Sequence, residues 1–184
     1  MFASTSAVLV EHCPRPIEEP HVKEDTPALP FRHFVPLPNV DAAPAPWCPA
    51  ENIVFIRNGR TVLGPEMSLD ELVCDMPIKG GFDPVLLTAR GGTMRLLLHW
   101  PGYLHEKFQE IQVIRPDGRP IKKSQLGQMV ARHYIEFLNG IPPEECVDKN
   151  WLMEPARKNP RNVILGSVDN PAGDILVAQL YVTA

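Results

Sequence analysis

Hydrophobic positions along the chain gather into short β-rich runs closed by turn signals, with one stripe at helical spacing among them. Asn52–Arg57 and Arg60–Leu63 are the first two runs. Asn58-Gly59 between them supplies residues that tolerate φ > 0, as a type I′ hairpin turn needs. Ser68-Leu-Asp-Glu71 is a capping box, in which hydroxyl and carboxylate satisfy opposing backbone donors. It starts a short helix that ends before Pro77, and Lys79–Pro84 follows as a loop. Val85–Ala89 and Thr93–His99, separated by Arg90–Gly92, read as a second hairpin, apolar enough for its strands to sit centrally. Trp100-Pro-Gly-Tyr103 breaks that pattern, and Glu110–Arg115 predicts a further strand ending at the Pro116-Asp-Gly118 turn.

Leu126, Met129/Val130, His133/Tyr134 and Phe137/Leu138 recur at helical spacing and predict a helix over Ser124–Asn139, stopped by Gly140 and Pro142. Its buried stripe is expected to be Leu126, Val130, Tyr134 and Phe137, with His133 at the edge of the core. A proline-rich connection over 141–160 leads to a third hairpin, Asn162–Val168 and Asp174–Val182 around Asp169–Gly173. Hairpin-joined strands with one long helix predict an α+β fold: a mostly antiparallel sheet with the helix packed on one face. The lack of regular βαβ alternation argues against a doubly wound nucleotide fold.

Proline changes the picture at one end. Ten of the 21 prolines fall in residues 1–49, a density that opposes helix and central strand alike. Residues 1–46 therefore read as an extended or disordered arm, and 47–184 as a single domain. Within the arm, Leu29–Pro38 interleaves apolar side chains with prolines. Phe31, Phe34 and Leu37 would dock either on the protein's own domain or, as an extended ligand, on a partner. Val22-Lys-Glu-Asp25 also matches the short acceptor pattern for a small ubiquitin-like modifier.

Charge and cysteine content narrow the function classes. A net charge of −4 argues against a general nucleic-acid binder. Cys13, Cys48, Cys74 and Cys146 are too widely spaced for a zinc or redox motif or a dense disulfide framework. The N-terminus lacks the basic segment of a signal peptide, and no stretch approaches the ~20 apolar residues of a membrane span, so an intracellular site, cytoplasmic or nuclear, is expected.

Leu96–Tyr103, Ile121–Ala131 and Tyr134–Phe137 resemble a pattern in small uncharacterised proteins of mushroom-forming (basidiomycete) fungi, in which a His-x-Pro-Gly-Tyr loop, a strand and a Gln-Leu-x-x-x-Val-Ala-x-x-Tyr helix follow one another. The resemblance spans residues 95–140, implies a fungal source, and carries no activity or catalytic residue with it.

No complete catalytic, phosphate-binding or dinucleotide motif is present, and His105-Glu106 lacks the second histidine of a zinc helix because position 109 is Gln. No cofactor is expected. Three readings follow. The leading one is a non-enzymatic protein-interaction or structural module, binding a protein partner or a second copy of itself through the arm (Phe31, Phe34, Leu37) and the Trp100–Tyr103 loop, whose two rings on the structural reading only anchor the tight Pro101-Gly102 turn. A small metal-binding protein or enzyme centred on His99, His105 and Glu106 is the alternative. The third is an anion or nucleic-acid site at the basic start of the long helix, formed by Arg115, Arg119, Lys122 and Lys123, where free N–H groups and the helix dipole favour negative charge.

Overall fold

The computed structural model describes residues 32–36, 51–59, 67–87, 89, 91–104, 106–152, 154 and 159–183. The last hairpin organises the sheet. Strands β6 (Val163–Ala172) and β7 (Ile175–Thr183) pair antiparallel around Gly173, whose φ of +55° suits glycine at the turn. Leu176, Ala178, Leu180 and Val182 of β7 alternate onto one face and join the core, as period two requires of a half-buried strand.

The other edge of β7 is shared by two strands. Its first half lies parallel to β4 (Thr93–Leu98), with Arg95, Leu96 and Leu97 opposite Ile175, Leu176 and Val177. Its last residues pair antiparallel with β1 (Arg32–Phe34). Strand β5 (Lys107–Gln112) is antiparallel to β4, while β2 (Asn52–Val54) and β3 (Met67–Ser68) both pair with β6. The described residues thus form a seven-stranded sheet, antiparallel apart from β4–β7.

Two helices cover one face. Helix α1 (Leu69–Val73) starts at the expected capping box: Glu71 N–H donates to Ser68 Oγ (3.3 Å) and Ser68 N–H to Glu71 Oε2 (3.1 Å). Helix α2 (Lys123–Gly140) buries Leu126, Gly127, Val130, Ala131, Tyr134 and Leu138. At Gly127 the helix packs tightly on its neighbours, since a Cβ there would stand 2.8 Å from Phe55 Cε1 and 3.1 Å from Leu72 Cδ2 of α1. The fold is α+β, with the long helix on one face of a mostly antiparallel sheet.

Four local expectations change. Asn52–Val54 pairs with Asp169, Val168 and Ser167 rather than with Arg60–Leu63, which lies outside the described residues. Only Gly59 of the Asn-Gly pair has φ > 0 (+87°), so a type I′ turn does not form. Among its described residues, Val85–Leu87 and Ala89, the Val85–Ala89 run forms no strand: Val85 N–H bonds Ile121 O, Leu86 turns at φ +56°, and Leu86 N–H donates to Glu51 Oε2 at 2.8 Å. With its backbone donors used there, the segment leaves β4 to pair with β5 and β7. In the helix, Phe137 is half-buried, its ring edge-on to Tyr134 with centroids 6.2 Å apart, and Leu138 takes the core position instead.

The sheet also takes in residues before position 47. Arg32–Phe34 is part of the sheet, and the buried Val35 donates its N–H to Leu180 O at 3.0 Å. The backbone of Phe34 pairs with Tyr181 of the same protein molecule, while Phe31 and Leu37 lie outside the described residues. No helix among the described residues is long and apolar enough to cross a membrane.

Candidate functional site

After α1, the backbone reverses through Asp75, which adopts φ +57° as its N–H bonds Leu72 O at 3.2 Å. Pro77–Lys79 then pairs with Ile56–Asn58: Asn58 N–H donates to Pro77 O (2.9 Å) and Lys79 N–H to Ile56 O (2.8 Å). Turns at Gly80 and Gly81 bring the loop back to the start of α2 and cap it. Lys123 N–H donates to Asp83 O and Ser124 N–H to Gly81 O, both at 2.9 Å, and Lys122 N–H donates to Gln125 Oε1 at 3.2 Å.

Between this loop and the first turns of α2 lies a half-open cleft of about 630 Å³, lined among others by Asn58, Asp75, Met76, Phe82, Asp83, Lys122, Gln125 and Gln128. That volume lies within the range of about 300–1,000 Å³ usual for ligand sites. Gln128 Nε2 donates to Asp75 Oδ1 at 2.7 Å, tying loop to helix. Phe82 is 83% exposed, with the Lys122 ammonium 5.0 Å from its ring centroid, and Met76 is 40% exposed. The cleft therefore combines two exposed apolar side chains, three amide side chains and two carboxylates with a single lysine in its lining. Such a surface can hold an apolar anchor and bond to backbone amides.

Sequence patterns did not single out this cleft. The one local signal was Phe82, a large aromatic between glycines and Asp-Pro in a segment that reads only as a loop.

The basic set at the same helix start is not a free anion cradle. The loop carbonyls occupy the first helix donors. Arg115 is held by Asp117 (3.3 Å) and by Pro120 O through its Nε (3.3 Å). Lys123 Nζ donates to Lys79 O at 3.3 Å, and Lys122 lies over Phe82, leaving Arg119 as the exposed member. An anion here would have to displace protein partners.

Trp100 and Tyr103, read from the sequence as partner-binding, are 0% and 3% exposed. Trp100 Nε1 donates to Trp151 O (3.2 Å), and the two indole rings meet edge-on. Gly102, at φ +79°, is closed over by Asp148 and Trp151, and its carbonyl accepts from Val147 N–H at 2.7 Å. Rings buried in this way anchor the corner and offer a partner no surface.

Of the metal set, His99 and Glu106 do meet. They sit one step beyond the Leu98–Lys107 pair, with His99 Nδ1 3.8 Å from Glu106 Oε1. Burial lowers the His99 pKa from its ordinary 6.5, outweighing the opposing pull of Glu106. Its Nδ1 is buried without a hydrogen-bond partner among the described residues. His105 lies outside the described residues, and among those described no group of three or more His, Cys, Asp or Glu side chains is placed to hold a metal.

No family model matches the protein, and no curated protein or solved structure matches it either.

Proposed function

We propose that this protein is a non-enzymatic interaction module that takes a short protein segment in the cleft between the Asp75–Asp83 loop and the start of α2. The observation that carries the reading is the roughly 630 Å³ cleft with Phe82 83% and Met76 40% exposed against it. Two exposed apolar side chains beside one concave surface offer an apolar anchor a place to pack. Asn58, Gln125 and Gln128 supply both donors and acceptors, which suits the backbone amides of an extended segment. This reading moves the contact surface away from Trp100 and Tyr103 and onto a face remote from them in sequence.

Panning a displayed peptide library against the folded protein tests it. Peptides carrying an apolar anchor should be enriched on the wild type and should lose at least about tenfold in affinity on Phe82→Ala, the ~1.4 kcal/mol scale of an interface anchor. Selected peptides that bind Phe82→Ala as tightly as the wild type would count against the cleft.

A further inference from the structure

The dipeptide Asn-Gly occurs twice in the sequence, at Asn58-Gly59 and at Asn139-Gly140, and the fold treats the two in opposite ways. Asn139 and Gly140 are both exposed, but they are the last residues of α2. Helical φ and ψ hold the asparagine side chain away from the following nitrogen, and the helix ladder engages that nitrogen's N–H.

Asn58 and Gly59 are equally exposed but lie in an open turn. Gly59 has φ +87°, and nothing lies within 4 Å of where a Cβ would stand. Among the described residues no hydrogen bond holds the Asn58 amide group or the Gly59 N–H. The electrophile and the nucleophile are therefore adjacent and exposed, and although the Asn58 N–H is held by Pro77 O, neither reacting group is itself tied by a hydrogen bond among the described residues.

We propose that Asn58 is a chemical modification site that deamidates through its own backbone. The Gly59 nitrogen, having given its proton to hydroxide, attacks Asn58 Cγ. The new C–N bond closes a five-membered succinimide, and the bond from Cγ to Nδ2 breaks to release ammonia, protonated from water. Water then opens the ring at one of its two carbonyls, giving aspartate or isoaspartate. No oxidant or reductant takes part.

The position gives this chemistry a consequence. Asn58 lines the cleft with Asp75 and Asp83, so the product adds a third carboxylate to a site that has one lysine in its lining. Isoaspartate also inserts a methylene beside the Asn58–Pro77 and Lys79–Ile56 bonds that form a cleft wall. As the protein ages, the cleft turns more acidic and comes to favour basic segments. That consequence rests on the cleft being the binding site, whereas the modification does not.

Incubation of the full-length protein at mildly alkaline pH, followed by peptide mapping for the mass gain of amide to acid at positions 58 and 139, tests the proposal without any ligand. In the native protein, conversion should be at least about tenfold faster at Asn58 than at Asn139, equivalent to ~1.4 kcal/mol in barrier. In denaturant the two rates should converge. Asn58→Gln, which cannot close the five-membered ring, should abolish the signal there and leave Asn139 unchanged. Equal native rates, or faster conversion at Asn139, would overturn it.

Discussion

Gln128 of α2 holds Asp75 across the cleft, its Nε2 2.7 Å from the carboxylate Oδ1. Asp75 carries the left-handed turn that ends α1, so this one bond couples the loop wall to the helix wall. Gln128→Ala should lower stability by no more than about 1 kcal/mol, because the bond is exposed and water replaces it. The same variant should raise amide exchange at residues 75–77, and unchanged exchange there would show that the loop is held by its backbone bonds alone.

Gly127→Ala sets two effects against each other. Alanine is favoured over glycine in a helix by about 1 kcal/mol. Here the added methyl meets the fully buried Phe55 ring at 2.8 Å and Leu72 at 3.1 Å, and overpacking typically costs about 1–3 kcal/mol. The clash should win, and denaturant unfolding should show a net loss. A stabilised variant would mean that α1 and α2 separate more readily than their packing implies.

Tyr134 is buried, its hydroxyl donating to Leu97 O at 3.2 Å, and burial raises its pKa above the ordinary tyrosine value. Tyr134→Phe keeps the ring and removes the hydroxyl's bond to the Leu97 carbonyl, so it should cost about 1–3 kcal/mol. Phe137→Ala, at a half-buried position, should cost less than Leu126→Ala, for which about 2–5 kcal/mol is typical at a closed core position. Chemical denaturation of the three variants orders them directly.

The pH dependence follows from two histidines whose pKa values burial lowers from 6.5, His99 and His133. Below 6.5 the unfolded state binds protons that the folded state resists. Stability should therefore be complete above about pH 7 and fall as pH drops through 6.5. His99→Gln should flatten that decline, read as the difference in unfolding free energy between about pH 7 and 5.5. An unchanged slope would remove His99 from the pH response.

What the sequence made legible was set by distance along the backbone. The β6–β7 hairpin, the Ser68–Glu71 capping box and the stripe of α2 depend on neighbours within a few residues, and all three form, with Leu138 in place of Phe137 in the stripe. The β4–β7 pairing joins Leu97 to Val177, parallel and far apart, and no local pattern encodes such a partner. Val85–Ala89 has strand composition, yet Val85 is drawn to Ile121 and Leu86 to Glu51. Trp100 read as a surface anchor because its covering residue, Trp151, arrives about fifty positions later. The cleft was illegible for the same reason: Asn58, the loop that carries Met76 and Phe82, and Gln128 come from separate stretches that only folding assembles.

The central claim is that the cleft, and no other surface, receives the partner segment. Backbone NMR shifts recorded while a library-selected peptide is titrated into the folded protein test it most directly. The largest changes are expected at Met76, Phe82, Gln125 and Gln128, with the Phe108–Gln112 edge of the sheet unmoved. Changes concentrated on β5 or around His99 and Glu106, with the cleft resonances unmoved, would contradict it.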